Sequence, residues 1–267
     1  MINKQTSPEL WDLLFLGRDT DKMLAMGQSN NPLNTLYTKG ETESFHYALS
    51  RPRIAVIGTR DSSPYGFHCT NMIIEALSRN PLKPVIVSGL AMGTDTRAHN
   101  CALLNGLLTI AVLPTGLDEI YPLQNRELAK NIIKGRGALI TPFPKKTSPE
   151  PINFFKRNYV LAAMSDLIII PETKIKGSVT IVGRYASMYD IPVMAVPGRI
   201  DDMRSQGCNR LIAEGVALPL VDIEKLSDSS YLQTLIGRKF DQKNNPQGKI
   251  PAQPSGRILP IDNNNAQ

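Results

Sequence analysis

The sequence predicts an α/β protein built on a doubly wound, mostly parallel sheet. Three observations lead there. Apolar runs of three to five residues recur through the middle of the chain, and helix-like amphipathic stretches separate them. The runs are also almost wholly apolar instead of alternating. Strands covered by helices on both faces need apolar side chains in both directions. Regular alternation of strand and helix, joined by right-handed crossovers, places every strand-to-helix loop on one edge of the sheet, where ligands bind.

The elements follow in order. The run Ile54–Ile57 leads to a helix over Tyr65–Arg79, with Ser62 or Ser63 as its cap. Val85–Val87 leads to Thr94–Asn105, and Thr109–Leu113 to Asn125–Lys134. Ala138–Ile140 precedes a helix over Phe154–Met164, and Leu167–Ile170 one over Ser178–Tyr189. Val193–Val196 closes on Pro197-Gly198-Arg199, and Gly207-Cys208-Asn209-Arg210 starts a further helix. Residues 1–50 form an N-terminal extension with one short helix, Pro8 to Leu16, capped by Ser7. Residues 51–225 form the sheet domain, and 226–267 a helix remnant and tail. Residues 240–267 are dominated by Gln, Asn and Pro, a composition that buries no core and predicts a flexible tail.

Composition excludes several classes. Hydrophobic residues at 42% and charged residues at 20% fit an ordered globular chain. The longest strictly aliphatic run, Leu167–Ile170, is far short of the ~20 residues of a membrane span. Met1–Asp21 lacks the basic start and apolar core of a signal peptide. Cys69, Cys101 and Cys208 lie far apart with no CxxC pair, which indicates neither a zinc site nor a disulfide framework. Buried thiols in a reducing cytoplasm are the expectation. The net charge is +6, and its distribution is uneven: −2 over residues 1–50, +7 over 51–220 and +1 over 221–267. A basic central domain attracts polyanions.

The strand-to-helix loops carry the candidate chemistry. After the first run, Gly58 permits a sharp turn, Thr59 offers a hydroxyl and Arg60 a five-donor fork, beside a helix whose free N–H groups point the same way. After the second, Ser88-Gly89 and Gly93 either line a phosphate or allow close helix–sheet packing. After the fifth, Lys174 and Lys176 precede Gly177-Ser178 at a helix start, an anion-ready arrangement. In Asn153-Phe154-Phe155-Lys156-Arg157-Asn158-Tyr159, aromatics and cations alternate as in surfaces that stack bases and pair with phosphates; a helix burying Phe154 and Tyr159 is the plainer reading. The glycine spacing is not GxGxxG and no Gly-Lys-Ser/Thr occurs, so neither a dinucleotide fingerprint nor a Walker A loop is present. Asp95 and His99 share a helix face without a nucleophile or metal-ligand set beside them, and His99 reads as a structural hydrogen-bonding residue.

At these residues the chain resembles the DNA-processing protein A (DprA, or Smf) family. The matching stretches come in the family's order: Ala55-Val56-Ile57-Gly58-Thr59-Arg60 with Tyr65-Gly66; Val87-Ser88-Gly89-Leu90-Ala91 with Gly93, Asp95 and Ala98-His99; Gly116-Leu117-Asp118 with Ile120-Tyr121-Pro122 and Asn125; Gly137-Ala138-Leu139-Ile140; Arg157-Asn158; and Val196-Pro197-Gly198 with Gly207-Cys208-Asn209. The resemblance covers about residues 53–220. It implies an extended Rossmann-like fold, binding of single-stranded DNA, help in loading the RecA recombinase during DNA uptake, and homodimers. It implies no catalysis and no cofactor. The family's Gly-(Ser/Thr)-Arg loop holds a DNA phosphate, a role that falls on Gly58, Thr59 and Arg60. The candidate contact set is then Gly58, Thr59, Arg60, Ser88, Gly89, Phe154, Lys156, Arg157, Asn158, Lys176, Gly177 and Ser178.

The chain also departs from the family pattern. Tyr159 stands where the motif continues Arg-Asn-Arg, Lys176-Gly177-Ser178 where members show Ser-Gly-Ser, and Met92 where an Arg is frequent. A lysine that some members carry before the aromatic falls near Pro151, with Lys156, or Lys145 and Lys146, as replacements. Residues 221–267 have no room for the winged helix common in the family. An alternative from another class is a nucleotide-binding or nucleotide-cleaving protein like the lysine-decarboxylase-like phosphoribohydrolases. Those carry Pro-Gly-Gly-x-Gly-Thr and a downstream Glu; this chain has Lys176-Gly177-Ser178-Val179-Thr180 and no Glu in the following turns.

Overall fold

The structure, a computed structural model, describes residues 2–5, 36–41, 47–188 and 190–237. The expected helix over Pro8–Leu16 and the expected tail over 240–267 lie outside the described residues. In chain order the elements are β1 (Ile2–Gln5), β2 (Leu36–Lys39), β3 (Arg53–Val56), α1 (Pro64–Arg79), β4 (Val85–Ser88), α2 (Thr94–Leu104), β5 (Thr109–Val112), α3 (Arg126–Lys134), β6 (Ala138–Thr141), α4 (Pro151–Ala163), β7 (Leu167–Ile170), α5 (Ser178–Met188), β8 (Val193–Ala195), α6 (Gln206–Ala213), β9 (Leu218–Pro219) and α7 (Ser229–Ile236). Short 3₁₀ turns precede α3 (Leu123–Asn125) and α7 (Ile223–Ser227).

The described residues form one sheet in the order β1-β2-β6-β5-β4-β3-β7-β8-β9. From β6 to β9 all neighbours are parallel, and β1 and β2 add an antiparallel edge through Thr38↔Ile140 and its neighbours. The chain winds outward from β3 through β4 and β5 to β6. It then crosses back through α4 to place β7 on the other side of β3, with Ala55 opposite Ile168. The strand order therefore reverses between β3 and β7, the crevice where such sheets bind ligands.

Side-chain alternation explains both faces. Ile54, Val56, Ile86, Leu167 and Ile169 pack under α1 and α2, while Ala111 and Leu139 pack under α3. Ala55, Ile57, Val85, Val87, Val112, Ile168 and Ile170 pack under α4, α5 and α6. Every residue of β3 to β8 is buried, which accounts for their unbroken apolar runs. Beyond the sheet, Leu226 and Leu232 are buried in the core around α1, and Asn80 Nδ2 donates to the Leu226 carbonyl at 2.9 Å. Helix α4 starts three residues before the sequence reading placed it. Pro151 opens it, since a proline at the first helical position gives up only an N–H that has no partner there.

Candidate functional site

At the switch point the loops after β3 and β7 face one another across a cleft of about 310 Å³. Its rim carries Arg60, Asp61, Lys174, Lys176, Gly177 and Ser178. Arg157 and Asn158 of α4 form one wall, and Ile57, Leu161, Val179 and Val182 give it an apolar floor. Helix α5 begins at Ser178, so its first-turn N–H groups and positive dipole end lie at the rim beside Lys176. Lys174 Nζ reaches across the mouth to Asp61 at 2.9 Å, and this ammonium holds the Asp61 carboxyl below the usual range.

The two loops are tied from beneath. Thr59 N donates to the Glu172 carbonyl at 2.9 Å. The Glu172 side chain, 1% exposed, accepts from Ser63 N at 2.8 Å, Ser63 Oγ at 2.6 Å and Ser62 Oγ at 3.2 Å. It thus fills the start of α1 with its own carboxyl oxygens, where Ser63 Oγ also accepts from Gly66 N at 3.1 Å. From sequence, the N–H groups of α1 are expected to point at a ligand. The structure corrects this: a carboxylate already fills that position, and Gly66 lacks a side chain because Glu172 occupies its space.

A second carboxylate closes the loop after β4. Leu90 is held at φ 58° and Gly93 at φ 75°; a Cβ on Gly93 would lie 2.5 Å from the carbonyl oxygens of Thr59 and Arg60. The Ala91 N–H turns inward and donates to Asp95 Oδ2 at 3.3 Å. Asn125 Nδ2 secures the strained turn by donating to the Leu90 carbonyl at 2.8 Å. Burial pushes the Asp95 carboxyl up, opposed by nearby Arg157 and by hydrogen bonds to its carboxylate.

Three expected contact residues take other roles. Ser88 is fully buried and its hydroxyl donates to the Val56 carbonyl at 2.7 Å, within the sheet. Gly89 lets α4 approach: its carbonyl accepts from Arg157 Nη1, and any Cβ there would fall within the guanidinium. Arg157 is only 5% exposed. Its Nη1 also donates to the Val112 carbonyl at 3.1 Å, and its Nε donates to Asn158 Oδ1 at 3.0 Å. Desolvation lowers its pKa, and Arg60 adds repulsion while Asp95 opposes the shift. Most of its fork therefore serves the fold. His99 is buried too, its Nδ1 2.7 Å from Thr109 Oγ1.

Arg60 is exposed, with its guanidinium 5.0 Å from the centre of the Phe154 ring. Phe154 in turn meets Tyr121 edge to face at 5.7 Å. These three and Met92 line a smaller recess of about 50 Å³ that shares Arg60 and Arg157 with the main cleft. Lys156 is exposed but is not among the residues lining either cleft, because it projects from α4 away from Phe154, Arg157 and Leu161. Lys145 and Lys146 also lie off the cleft. The structure brings Gly58, Thr59, Arg60, Lys176, Gly177, Ser178 and Asn158 together, with Phe154 beside them. Sequence reasoning missed Glu172, Asp61 and Tyr121. A charged residue two positions past a wholly buried strand, as Glu172 is, was the available signal.

Fold and cleft together define the class: a Rossmann-like, doubly wound α/β protein with a cation-rimmed cleft at its switch point. The chain belongs to the DNA recombination-mediator protein A family, whose sequence model matches residues 20–230. It is 33% identical over 218 residues to Protein Smf of Synechocystis, covering 81% of this chain and 54% of that protein. It is 37% identical over 183 residues to DNA processing protein DprA of Streptococcus pneumoniae, covering 68% and 62%. The chain thus matches little more than half the length of these relatives. Among solved structures, one reporting the single-stranded DNA binding mode of DNA processing protein A from Helicobacter pylori superposes with a TM-score of 0.71 at 27% identity, over 88% of this chain and 97% of that one. The X-ray structure of DprA from Streptococcus pneumoniae gives 0.65 at 32% identity, over 78% and 66%.

Proposed function

We propose that this protein binds single-stranded DNA in the switch-point cleft and acts as an accessory factor in recombination, not as an enzyme. The observation that carries the reading is the convergence of Arg60, Lys176 and the N-terminus of α5 on one open cleft. Arg60 offers a bidentate fork and α5 the N–H groups of Ser178 and Val179 at its start, Thr180 N being taken by the Gly177 carbonyl; these are the donors a phosphodiester needs. Phe154 and Tyr121 lie beside Arg60 and offer unpaired bases a surface to stack on. Family membership supports the recombination role, and the Helicobacter pylori relative is described as binding single-stranded DNA. On this reading the chain acts as a homodimer and delivers DNA to the RecA recombinase.

The test is a titration of a labelled dT oligomer by fluorescence anisotropy, with duplex DNA and AMP as competitors. Binding to the oligomer that AMP and duplex displace poorly supports the proposal. Displacement by AMP at equal concentration defeats it. Light scattering and a RecA co-sedimentation assay address the two partner statements.

A further inference from the structure

The rim of the cleft carries an acid that phosphate binding alone does not call for. Asp61 lines the cleft directly after Arg60. Its side chain is 70% exposed and pairs with Lys174 Nζ at 2.9 Å. The turn fixes it there: Asp61 N donates to Thr59 Oγ1 at 3.2 Å, and Thr59 N is held by the Glu172 carbonyl. The carboxylate therefore joins the loop after β3 to the loop after β7 at the mouth that a phosphate must enter. Asp202 and Arg204, the next charges felt by Asp61, pair with each other at 3.3 Å and largely cancel. Among the described residues, the mouth thus presents the exposed cations Arg60, Lys174 and Lys176 against one exposed carboxylate.

An anion entering this mouth takes Lys174 from Asp61 and then lies beside the carboxylate it displaced. The cost of that rises with the charge of the anion. A phosphodiester carries one negative charge. A phosphomonoester, with its second pKa at about 6, carries close to two above pH 7. Arg60 and Lys176 by themselves favour the more highly charged group, and Asp61 works against it. We propose that Asp61 is the charge filter of the cleft: it turns away phosphomonoesters, as on free nucleotides and 5′-phosphorylated ends, and leaves the site to the singly charged links inside a strand. This inference rests on the single-stranded DNA reading and adds to it the class of phosphate that the site accepts.

The experiment uses the full chain and a labelled dT oligomer, displaced at pH 8 by thymidine 5′-monophosphate or by its methyl ester. The two competitors share base and sugar and differ by one charge. The readout is the ratio of their inhibition constants in the wild type, Asp61→Asn and Glu127→Gln. Glu127 is an exposed acid of α3, paired with Lys130 and not among the residues lining the cleft, so its variant controls for net charge. A unit charge about 5 Å away in water changes affinity about fourfold. The expected result is that Asp61→Asn improves the monophosphate about fourfold relative to the methyl ester, while Glu127→Gln keeps the wild-type ratio. A wild-type ratio in Asp61→Asn overturns the proposal, as does an equal change in Glu127→Gln. Where Asp61→Asn is unfolded, Asp61→Ser is read in its place. The two levels separate: failure of the wild type to bind the oligomer, or of both competitors to displace it, strikes the phosphate site and the filter with it, whereas displacement by both with an unchanged ratio strikes only Asp61.

Discussion

Replacing Arg60 by alanine probes the phosphate site with little structural side effect. The backbone around it is held by other groups: Thr59 N bonds the Glu172 carbonyl at 2.9 Å, and Gly58 packs against Thr94 and Glu172 where a side chain would not fit. The Arg60 side chain is exposed and its one described ring contact is with Phe154, at 5.0 Å. An exposed cation–π contact contributes about 0.5–1 kcal/mol. Arg60→Ala therefore lowers the melting temperature only slightly. Its effect on binding is larger, because a hydrogen bond to a charged group contributes about 1.5–3 kcal/mol. We take that range for the whole fork, since water replaces part of what an exposed group loses. It corresponds to a roughly 10- to 150-fold rise in Kd for a dT oligomer. Arg60→Lys recovers only part of the loss, because a point charge lacks the two parallel donors. The assay is an anisotropy titration of wild type and both variants, with thermal melts alongside. Wild-type affinity in Arg60→Ala refutes the phosphate assignment. Unfolding of that variant refutes the claim that the loop is held without its side chain.

Three further predictions follow from the same geometry. Arg60, Lys174 and Lys176 are the exposed cations at the cleft, so log K against log salt has a slope of about −2 at ~0.7 per phosphate on a single strand; affinity that ignores salt contradicts the site. Arg157→Ala lowers unfolding free energy in urea by about 3–5 kcal/mol, because the carbonyls of Gly89 and Val112 lose a buried donor and Asp95 its nearby cation; a stable variant that merely binds DNA poorly would instead make Arg157 a direct contact. His99, brought down to about 3 by burial and by Arg157, stays neutral in the fold while its unfolded counterpart takes a proton below about 6.5. The unfolded state then binds more protons between these values, so stability falls by roughly 1.4 kcal/mol per pH unit below 6.5. Asp95, with its carboxyl raised in the fold, works in the opposite direction, so the term is read as wild type minus His99→Gln, and parallel curves would refute it.

The sheet was legible because its strands are short and buried on both faces. Ile54, Val56 and their neighbours must be apolar in both directions, and no other common arrangement yields six such runs separated by helices. β1 and β2 were not legible. β2 reads Leu-Tyr-Thr-Lys, half-buried, and pairs antiparallel with β6 at the edge, so it carries neither a continuous run nor a turn signal. In the cleft, Gly58-Thr59-Arg60 and Lys176-Gly177-Ser178 could be placed because topology sends both loops to one edge. What the sequence could not convey is which polar groups are already satisfied. Arg157 and Lys156 are adjacent cations on paper. On a helix, one residue is a 100° rotation, which puts Arg157 among backbone carbonyls and Lys156 in water.

The same difference decides how many phosphates this fold can hold. By topology, the helix starts after β3 and β7 and the turn after β4 are equivalent candidates for an anion. Two of the three are closed by the chain itself: Glu172 fills the start of α1 with three hydrogen bonds, and Asp95 takes the inward N–H of the turn after β4. These buried carboxyl groups already occupy the space and the donors that a phosphate would need there. Only the start of α5 remains open, with Arg60 and Lys176 facing it. A pyrophosphate bridging the first strand–helix turn, as a dinucleotide requires, has no place here. A chain of single phosphodiesters entering one at a time does. On the single-stranded DNA reading, the two internal acids are what would turn a Rossmann-like sheet without the GxGxxG fingerprint away from a dinucleotide and toward a polymer.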